Sequence, residues 1–218
     1  GLAKLYLATG DKRYLDEAKF FLDYRGKTNT RNIYTQSNLP VVEQHEAWGH
    51  AVRAGYMYAG MADIAALTKD SAYIKAIDRI WNNIVSKKYY LTGGVGARHE
   101  GEAFGADYEL PNLTAYNETC AAIAQCYLNL RLFMLHGDSK YIDCLERTLY
   151  NGVISGMSMA VGSSTLILFL RTANISLMPM EQQHDNHGLV APVARVTSVV
   201  SFLLCRDMYM LCVGMTSM

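Results

Sequence analysis

The sequence lacks the features typical of proteins that bind nucleic acids or membranes. Its 20 basic residues are balanced by 20 acidic ones, whereas nucleic acids and membrane surfaces favour proteins with a basic excess. No apolar run is long and clean enough to span a bilayer. We therefore expect neither nucleic acid nor a membrane as a partner.

The sequence also lacks an initiator, a signal sequence and a disulfide pattern. It begins with Gly, and "GLAKLYLATGD" has the pattern of the middle of a helix, so we expect the natural N-terminus to lie upstream. The five cysteines, at positions 120, 126, 144, 205 and 212, show no disulfide spacing. Their odd number favours a reducing compartment such as the cytoplasm, although the localisation stays open.

What the sequence does contain is a repeat. Three stretches resemble each other: "TGDKRYLDEAKFFLDY" from Thr9, "TKDSAYIKAIDRIWNN" from Thr68 and "HGDSKYIDCLERTLYN" from His136. Each has a polar turn, then an Asp that can cap a helix, then apolar residues at helical spacing. Each also follows another apolar helix. The repeat predicts an all-α fold of stacked helical hairpins, in an open solenoid or closed into a ring.

A long segment without helical pattern separates the second and third repeats. The stretch "KKYYLTGGVGARHEGEAFGADYELPN" has five glycines and a proline, which argue against helix. Loops of this length in a compact domain are usually functional. We expect loop or short strand over 89–112, and helices near 1–9, 12–25, 44–67, 71–87, 113–135 and 139–156.

Several polar residues stand near the predicted helix starts and in this loop. Trp48 offers a flat surface of the kind on which sugars stack, and Gly49 would let another group approach His50 closely. Glu102, beside an apolar "AF", could act as a general acid with a raised pKa. Glu118 and Cys120 stand two residues apart where a helix begins. Taken alone, they are more typical of an acid in the first turn of a helix and a buried thiol than of a functional site.

Four motifs together resemble glycoside hydrolase family 127, whose characterised members are β-L-arabinofuranosidases. They are "GHAVRA", "LTGGVGARHEGEAFG", "YNETCAAIA" and "ERTLYNG", in this order and over roughly residues 1–158. The resemblance implies that the hairpins form part of an (α/α)6 barrel and that the glycine-rich segment is an active-site loop. It also implies an arabinose-containing oligosaccharide or glycan as the substrate.

The resemblance implies roles for individual residues as well. Glu102 matches the family's general acid/base, and His50 matches a sugar-contacting histidine. Glu146 matches a carboxylate of the pocket, to which we add Trp48 as a candidate sugar contact. Glu118 and Cys120 match two ligands of a zinc ion held by one Glu and three Cys, one of which is the nucleophile. Because side chains two apart do not share a helix face, this pair can meet only where the chain enters the helix.

The other half of the zinc site is missing from the sequence. The resemblance calls for two adjacent cysteines in a "GCACCP"-like motif some 70 to 80 residues beyond "ETC", and the chain has none. Beyond residue 160 the hairpin pattern stops, and eight of the 11 methionines lie from Met157 onward. If the reading frame of this part is shifted so that each new codon begins at the third base of the old one, synonymous codons exist with which the shifted frame encodes both "FFYPNPLS" and "GCACCP".

We therefore expect two regions. Residues 1–158 form a partial catalytic domain, and residues 159–218 form an aberrant tail produced by a frameshift. The zinc site would be incomplete and the chain inactive as written, since we do not expect Cys205 or Cys212 to replace the missing ligands.

Two other hypotheses stay open. A tetratricopeptide-like binding scaffold would have periods near 34 residues and no long glycine loop. Another six-hairpin-barrel sugar enzyme, such as an epimerase or an unsaturated glucuronyl hydrolase, would not depend on zinc. The exact glycan, its linkage and the oligomeric state stay open from the sequence.

Overall fold

The fold consists of helices joined in pairs. A computed structural model describes residues 1–28 and 31–156, and within these ranges β-structure is limited to isolated bridges. The helices are α1 (Leu2–Thr9), α2 (Lys12–Tyr24), α3 (Ala51–Thr68), α4 (Ser71–Lys87), α5 (Thr119–His136) and α6 (Ser139–Thr148). The prediction of an all-α fold is confirmed.

The three repeats form three hairpins with the same turn. The first helix of each pair ends at a residue in the left-handed region: Gly10, Lys69 and Gly137. The second helix then begins after an aspartate whose carboxylate accepts a hydrogen bond from a backbone N–H two residues on, at 2.9–3.0 Å: Asp11, Asp70 and Asp138. The caps inferred from the repeat are therefore present, and each satisfies one of the free N–H groups of a helix start.

The centre of the fold lies between α3 and α5, with α4 and α6 packed outside them. The two central helices approach closely because Gly55 has no side chain, and a Cβ there would come within 2.7 Å of the Cβ of Ala124. Apolar side chains of α3, α4 and α5 fill the surrounding core. The Trp81 indole N–H is buried there and donates to Asn129 Oδ1 at 2.8 Å.

Two predicted helices begin later than expected. The helix predicted over 44–67 begins only at Ala51, because Gly49 has a φ of 67° and His50 is extended and caps the helix. The helix predicted over 113–135 begins at Thr119, because Glu118 is extended, with φ −82° and ψ 145°. The first correction moves His50 to a helix start, and the second leaves Glu118 at the helix start where its spacing from Cys120 required it to be.

The last predicted helix is also divided. α6 ends at Thr148, and a π-helical turn over Leu149–Val153 and a 3₁₀ turn over Ile154–Gly156 follow it. Among the residues described, no helix combines the length and the apolar character needed to cross a membrane. The tail predicted for residues 159–218 lies outside the described residues, and the boundary at 158 stays a prediction.

Candidate active site

Glu102 lies in a tight turn of the glycine-rich loop. The turn is a short 3₁₀ element, Glu100–Glu102, in which Gly101 and Glu102 both have positive φ angles, of 70° and 49°. A positive φ is uncommon for a residue other than glycine, and such residues concentrate at functional sites. Ala103, the next residue, forms isolated bridges with both Arg98 and His50. The loop therefore holds Glu102 in a defined position beside the start of α3.

His50 faces this carboxylate from the start of α3. Its Nδ1 accepts the backbone N–H of Arg53 at 3.4 Å, and its Nε2 lies 2.9 Å from Glu102 Oε2. In the neutral ring, an accepting Nδ1 leaves the hydrogen on Nε2, toward Glu102. Gly49 does permit a close approach, since a Cβ there would lie 2.4 Å from the carbonyl oxygen of Tyr34. The chain before α3 thus aims the imidazole at Glu102.

Tyr116 contacts the other oxygen of the same carboxylate. Its hydroxyl donates to Glu102 Oε1 at 3.3 Å, and the ring of His99 packs edge-on against it at 4.8 Å between centroids. Burial, and then the charges of Glu102 and Glu118, raise the pKa of Tyr116 to about 12, so the phenol stays a donor at neutral pH. Sequence reasoning did not single out Tyr116, although it belongs to the quoted motif "YNETCAAIA".

Glu118 and Cys120 meet at the start of α5. The thiol of Cys120 donates to Glu118 Oε1 at 3.4 Å, because Glu118 is extended and only Cys120 is helical. Burial, together with the charge of Glu102, raises the pKa of Glu118 to about 7. Burial, followed by the charge of Glu118, raises the pKa of Cys120 to about 12. In the protein without metal, the Cys120 thiol is therefore protonated near pH 7, and the Glu118 carboxyl is about half protonated.

The geometry of this pair fits one half of a zinc site. Tetrahedral zinc with bonds of about 2.3 Å to sulfur and about 2.1 Å to oxygen separates the two ligand atoms by about 3.6 Å. The observed separation of Cys120 Sγ and Glu118 Oε1 is 3.4 Å. In residues 1–28 and 31–156, no group of three or more candidate ligand side chains comes together. Cys126 is buried elsewhere, against the carbonyl of Leu145.

The predicted sugar contacts Trp48 and Glu146 have surroundings of their own. The ring of Trp48 packs edge-on against His45 at 5.4 Å, and its carbonyl accepts from Gln36. The side chain of Glu146 is exposed on α6. Within the described ranges, no hydrogen bond, ion pair or ring contact joins either side chain to Glu102. Their substrate-binding roles stay predictions.

Three of the quoted motifs pack together behind the cluster. The Thr148 hydroxyl, from "ERTLYNG", donates to the carbonyl of Gly93 at 3.0 Å. The Asn117 amide, from "YNETC", donates to the carbonyls of Val95 and Gly96 at 3.1 and 2.8 Å once its oxygen and nitrogen are exchanged so that the nitrogen faces these acceptors. The backbone of residues 93–96 in the glycine-rich loop is thus bound on two sides.

Paired helices stacked side by side, with a polar cluster where two central helices begin, place the chain in the class of hairpin-built all-α proteins. Within that class, the chain belongs to glycoside hydrolase family 127. Residues 1–188 match the family described as "Beta-L-arabinofuranosidase, GH127 catalytic domain".

Individual relatives agree with this family. The chain is 40% identical over 179 residues to a non-reducing end β-L-arabinofuranosidase of Bifidobacterium longum subsp. longum, covering 72% of this chain and 27% of the relative. Its structure is similar to the GH127 β-arabinofuranosidase BT3674 at 71% identity and TM-score 0.70, covering 72% of this chain and 25% of that one.

A second similar structure is Ara127N-Se, a GH127 β-L-arabinofuranosidase from Geobacillus stearothermophilus T6. The identity is 42% and the TM-score 0.70, with 72% of this chain and 28% of that chain covered. The chain thus spans about a quarter of the length of these relatives. Its family membership favours the glycosidase hypothesis over the repeat scaffold and over the other six-hairpin enzymes.

Proposed function

We propose that the chain is the acid/base-bearing part of a retaining, zinc-dependent glycoside hydrolase that acts on β-L-arabinofuranosides, and that it is inactive as written. The observation that carries the proposal is the carboxylate of Glu102. His50 contacts one of its oxygens and Tyr116 the other, beside the Glu118–Cys120 pair. Family membership supplies the substrate class, since the matching relatives are β-L-arabinofuranosidases.

The proposed chemistry begins with a proton on Glu102. The protonated carboxyl donates it to the glycosidic oxygen while the bond from the anomeric carbon to that oxygen breaks and a cysteine sulfur attacks the carbon. The resulting carboxylate then removes a proton from water, which attacks the same carbon and releases the cysteine. This is retention by double displacement, with sulfur in place of the second carboxylate.

Contacts to both oxygens suit Glu102 to this task. A hydrogen on His50 Nε2 and the Tyr116 hydroxyl both favour the ionised carboxylate, which is the form needed as the base.

Zinc, where bound, would be held by Glu118 and Cys120 and would keep its cysteine ligands as thiolates at neutral pH. The sequence contains no adjacent cysteine pair to supply the remaining ligands and the nucleophile. The inactivity of the chain as written follows from that shortage.

The experiment compares the 218-residue chain with the product of the gene after a single base insertion or deletion near codon 158. We expect the restored protein to contain the "CACCP" motif, to bind one zinc per chain and to hydrolyse an aryl β-L-arabinofuranoside. The original chain should not hydrolyse it. Hydrolysis by the original chain would contradict the proposed inactivity, and a DNA sequence that no single shift restores would refute the frameshift. A restored protein without zinc or without arabinofuranosidase activity would contradict the proposed chemistry.

A further inference from the structure

Lys88 is a buried cation that joins three separate segments of the chain. It follows α4 directly, and its side chain is only 2% exposed. The ammonium donates to Glu46 Oε1 at 2.5 Å, to the carbonyl of Ala47 at 2.9 Å and to the carbonyl of Gly105 at 3.0 Å. One side chain thus connects α4, the segment before α3 and the end of the glycine-rich loop.

The two segments that Lys88 joins are those that carry His50 and Glu102. The two segments pair along a short antiparallel stretch. The backbone N–H of Phe104 donates to the carbonyl of Gly49 at 2.9 Å, and Ala103 forms a β-bridge with His50. Lys88 contacts Ala47 and Gly105, one on each of these two segments and just beyond the paired residues. If the two segments moved apart at this point, the two candidate site residues would also move apart.

The chemistry of the contact requires a lysine. An ammonium group has three N–H donors, and here one carboxylate and two carbonyls accept all three. A buried charge is tolerated only when paired and fully hydrogen-bonded. The adjacent Lys87 contrasts with it: its side chain is 36% exposed and pairs with Asp107 at 2.6 Å. From sequence alone, both members of "KK" have the character of solvated surface lysines.

We propose that Lys88 is a positioning residue that holds Glu102 against His50 by fastening the loop to the segment before α3. The proposal rests on the proposed function for the chemical role of Glu102. The contact that Lys88 maintains, between His50 Nε2 and Glu102 Oε2, can be measured without any catalysis.

The experiment is proton and nitrogen-15 NMR of the histidine rings in the full 218-residue chain, with H50N to assign the His50 signals. The wild-type ring should show a hydrogen-bonded Nε2–H resonance, because Nε2 faces Glu102 Oε2 at 2.9 Å. K88M should lose this resonance even though Nδ1 still accepts the Arg53 N–H. K87M, which removes the exposed neighbour, should keep the wild-type spectrum.

K88M also leaves the partly buried Glu46 carboxylate without its partner, so the fold itself is at risk in that variant. The double variant E46Q/K88M removes this charge while still lacking the contacts to the two carbonyls. We expect it to keep the helical circular dichroism of the wild type and to lose the hydrogen-bonded Nε2–H resonance. A folded double variant that keeps this resonance would overturn the proposal. Loss of the fold in the double variant would also overturn it, because Lys88 would then be structural. Neither outcome touches the arabinofuranosidase test, which can fail separately.

Discussion

His50 Nε2 lies 2.9 Å from Glu102 Oε2, so two residues from separate motifs form the centre of the candidate site. The imidazole performs two tasks at once. Its Nδ1 caps α3 through the backbone N–H of Arg53, and that bond fixes which nitrogen faces the carboxylate. The helix start and the site therefore share one side chain.

The two tasks of His50 can be separated by substitution. Asparagine is a good N-cap but is too short to reach Glu102, whereas alanine can do neither. We expect H50A to lower the free energy of unfolding by about 1 kcal/mol, as loss of a cap does. H50N should be at least as stable as the wild type. Urea unfolding of the full chain measures both, and equal stability of H50A and H50N would show that the ring does not cap α3.

Glu118 should make the stability of the metal-free chain depend on pH. Burial and the charge of Glu102 raise its pKa from 4.5 to about 7, so the folded state binds a proton that the unfolded state has released. Its stabilising contribution is fully present below pH 4.5 and is lost as the pH rises to about 7. Between pH 5 and pH 8 we expect a loss of about 2 kcal/mol.

The control for this pH dependence is E118Q, which cannot titrate at that position. Urea unfolding with a chelator present, at both pH values, should show a steeper loss for the wild type than for E118Q. Identical slopes for the two proteins, or a wild type that gains stability with pH relative to E118Q, would contradict the assigned pKa.

Two glycines of α3 should respond in opposite ways to alanine. A Cβ at Gly55 would lie 2.7 Å from the Cβ of Ala124, whereas nothing lies within 4 Å of a Cβ at Gly60. We expect G55A to lower the free energy of unfolding by about 1–3 kcal/mol through overpacking. G60A should raise it by about 0.5–1 kcal/mol, because alanine favours the helix and restricts the unfolded chain. A stabilising G55A would show that α3 and α5 are not in close contact.

The local pattern of the sequence was sufficient to predict the helical hairpins. Asp11, Asp70 and Asp138 cap their helices through contacts within two residues, and such contacts depend on little beyond the nearby sequence. The same local rules failed before α3. "EQHEAWGH" has helix-forming residues, but Gly49 adopts a positive φ to fit against the backbone of Ile33 and Tyr34, and that neighbour is distant in sequence.

The candidate site was only partly predictable for a similar reason. The family motifs implied site roles for His50, Glu102, Glu118 and Cys120, and these roles stay predictions. In the structure His50 contacts Glu102, Cys120 contacts Glu118, and the charge of Glu102 acts on Glu118. Tyr116 and Lys88 were missed because their polar atoms acquire partners only when the glycine-rich loop folds back over α3. No periodicity or spacing in the sequence carries that information.

The measurement that tests the account most directly is the effect of E102Q on two substrates of the frame-restored protein. One is a methyl β-L-arabinofuranoside, whose leaving oxygen must be protonated. The other is an aryl β-L-arabinofuranoside whose leaving group departs without a proton. The matched control is E100Q, because Glu100 is an exposed carboxylate of the same turn.

If Glu102 is the general acid, E102Q lowers kcat/KM for the methyl glycoside by about 10²–10⁴-fold and lowers it far less for the activated aryl glycoside. E100Q leaves both values near those of the unsubstituted protein. An E102Q protein that hydrolyses the methyl glycoside as fast as the unsubstituted one, or that loses both substrates equally, would contradict the assignment of Glu102 as the general acid.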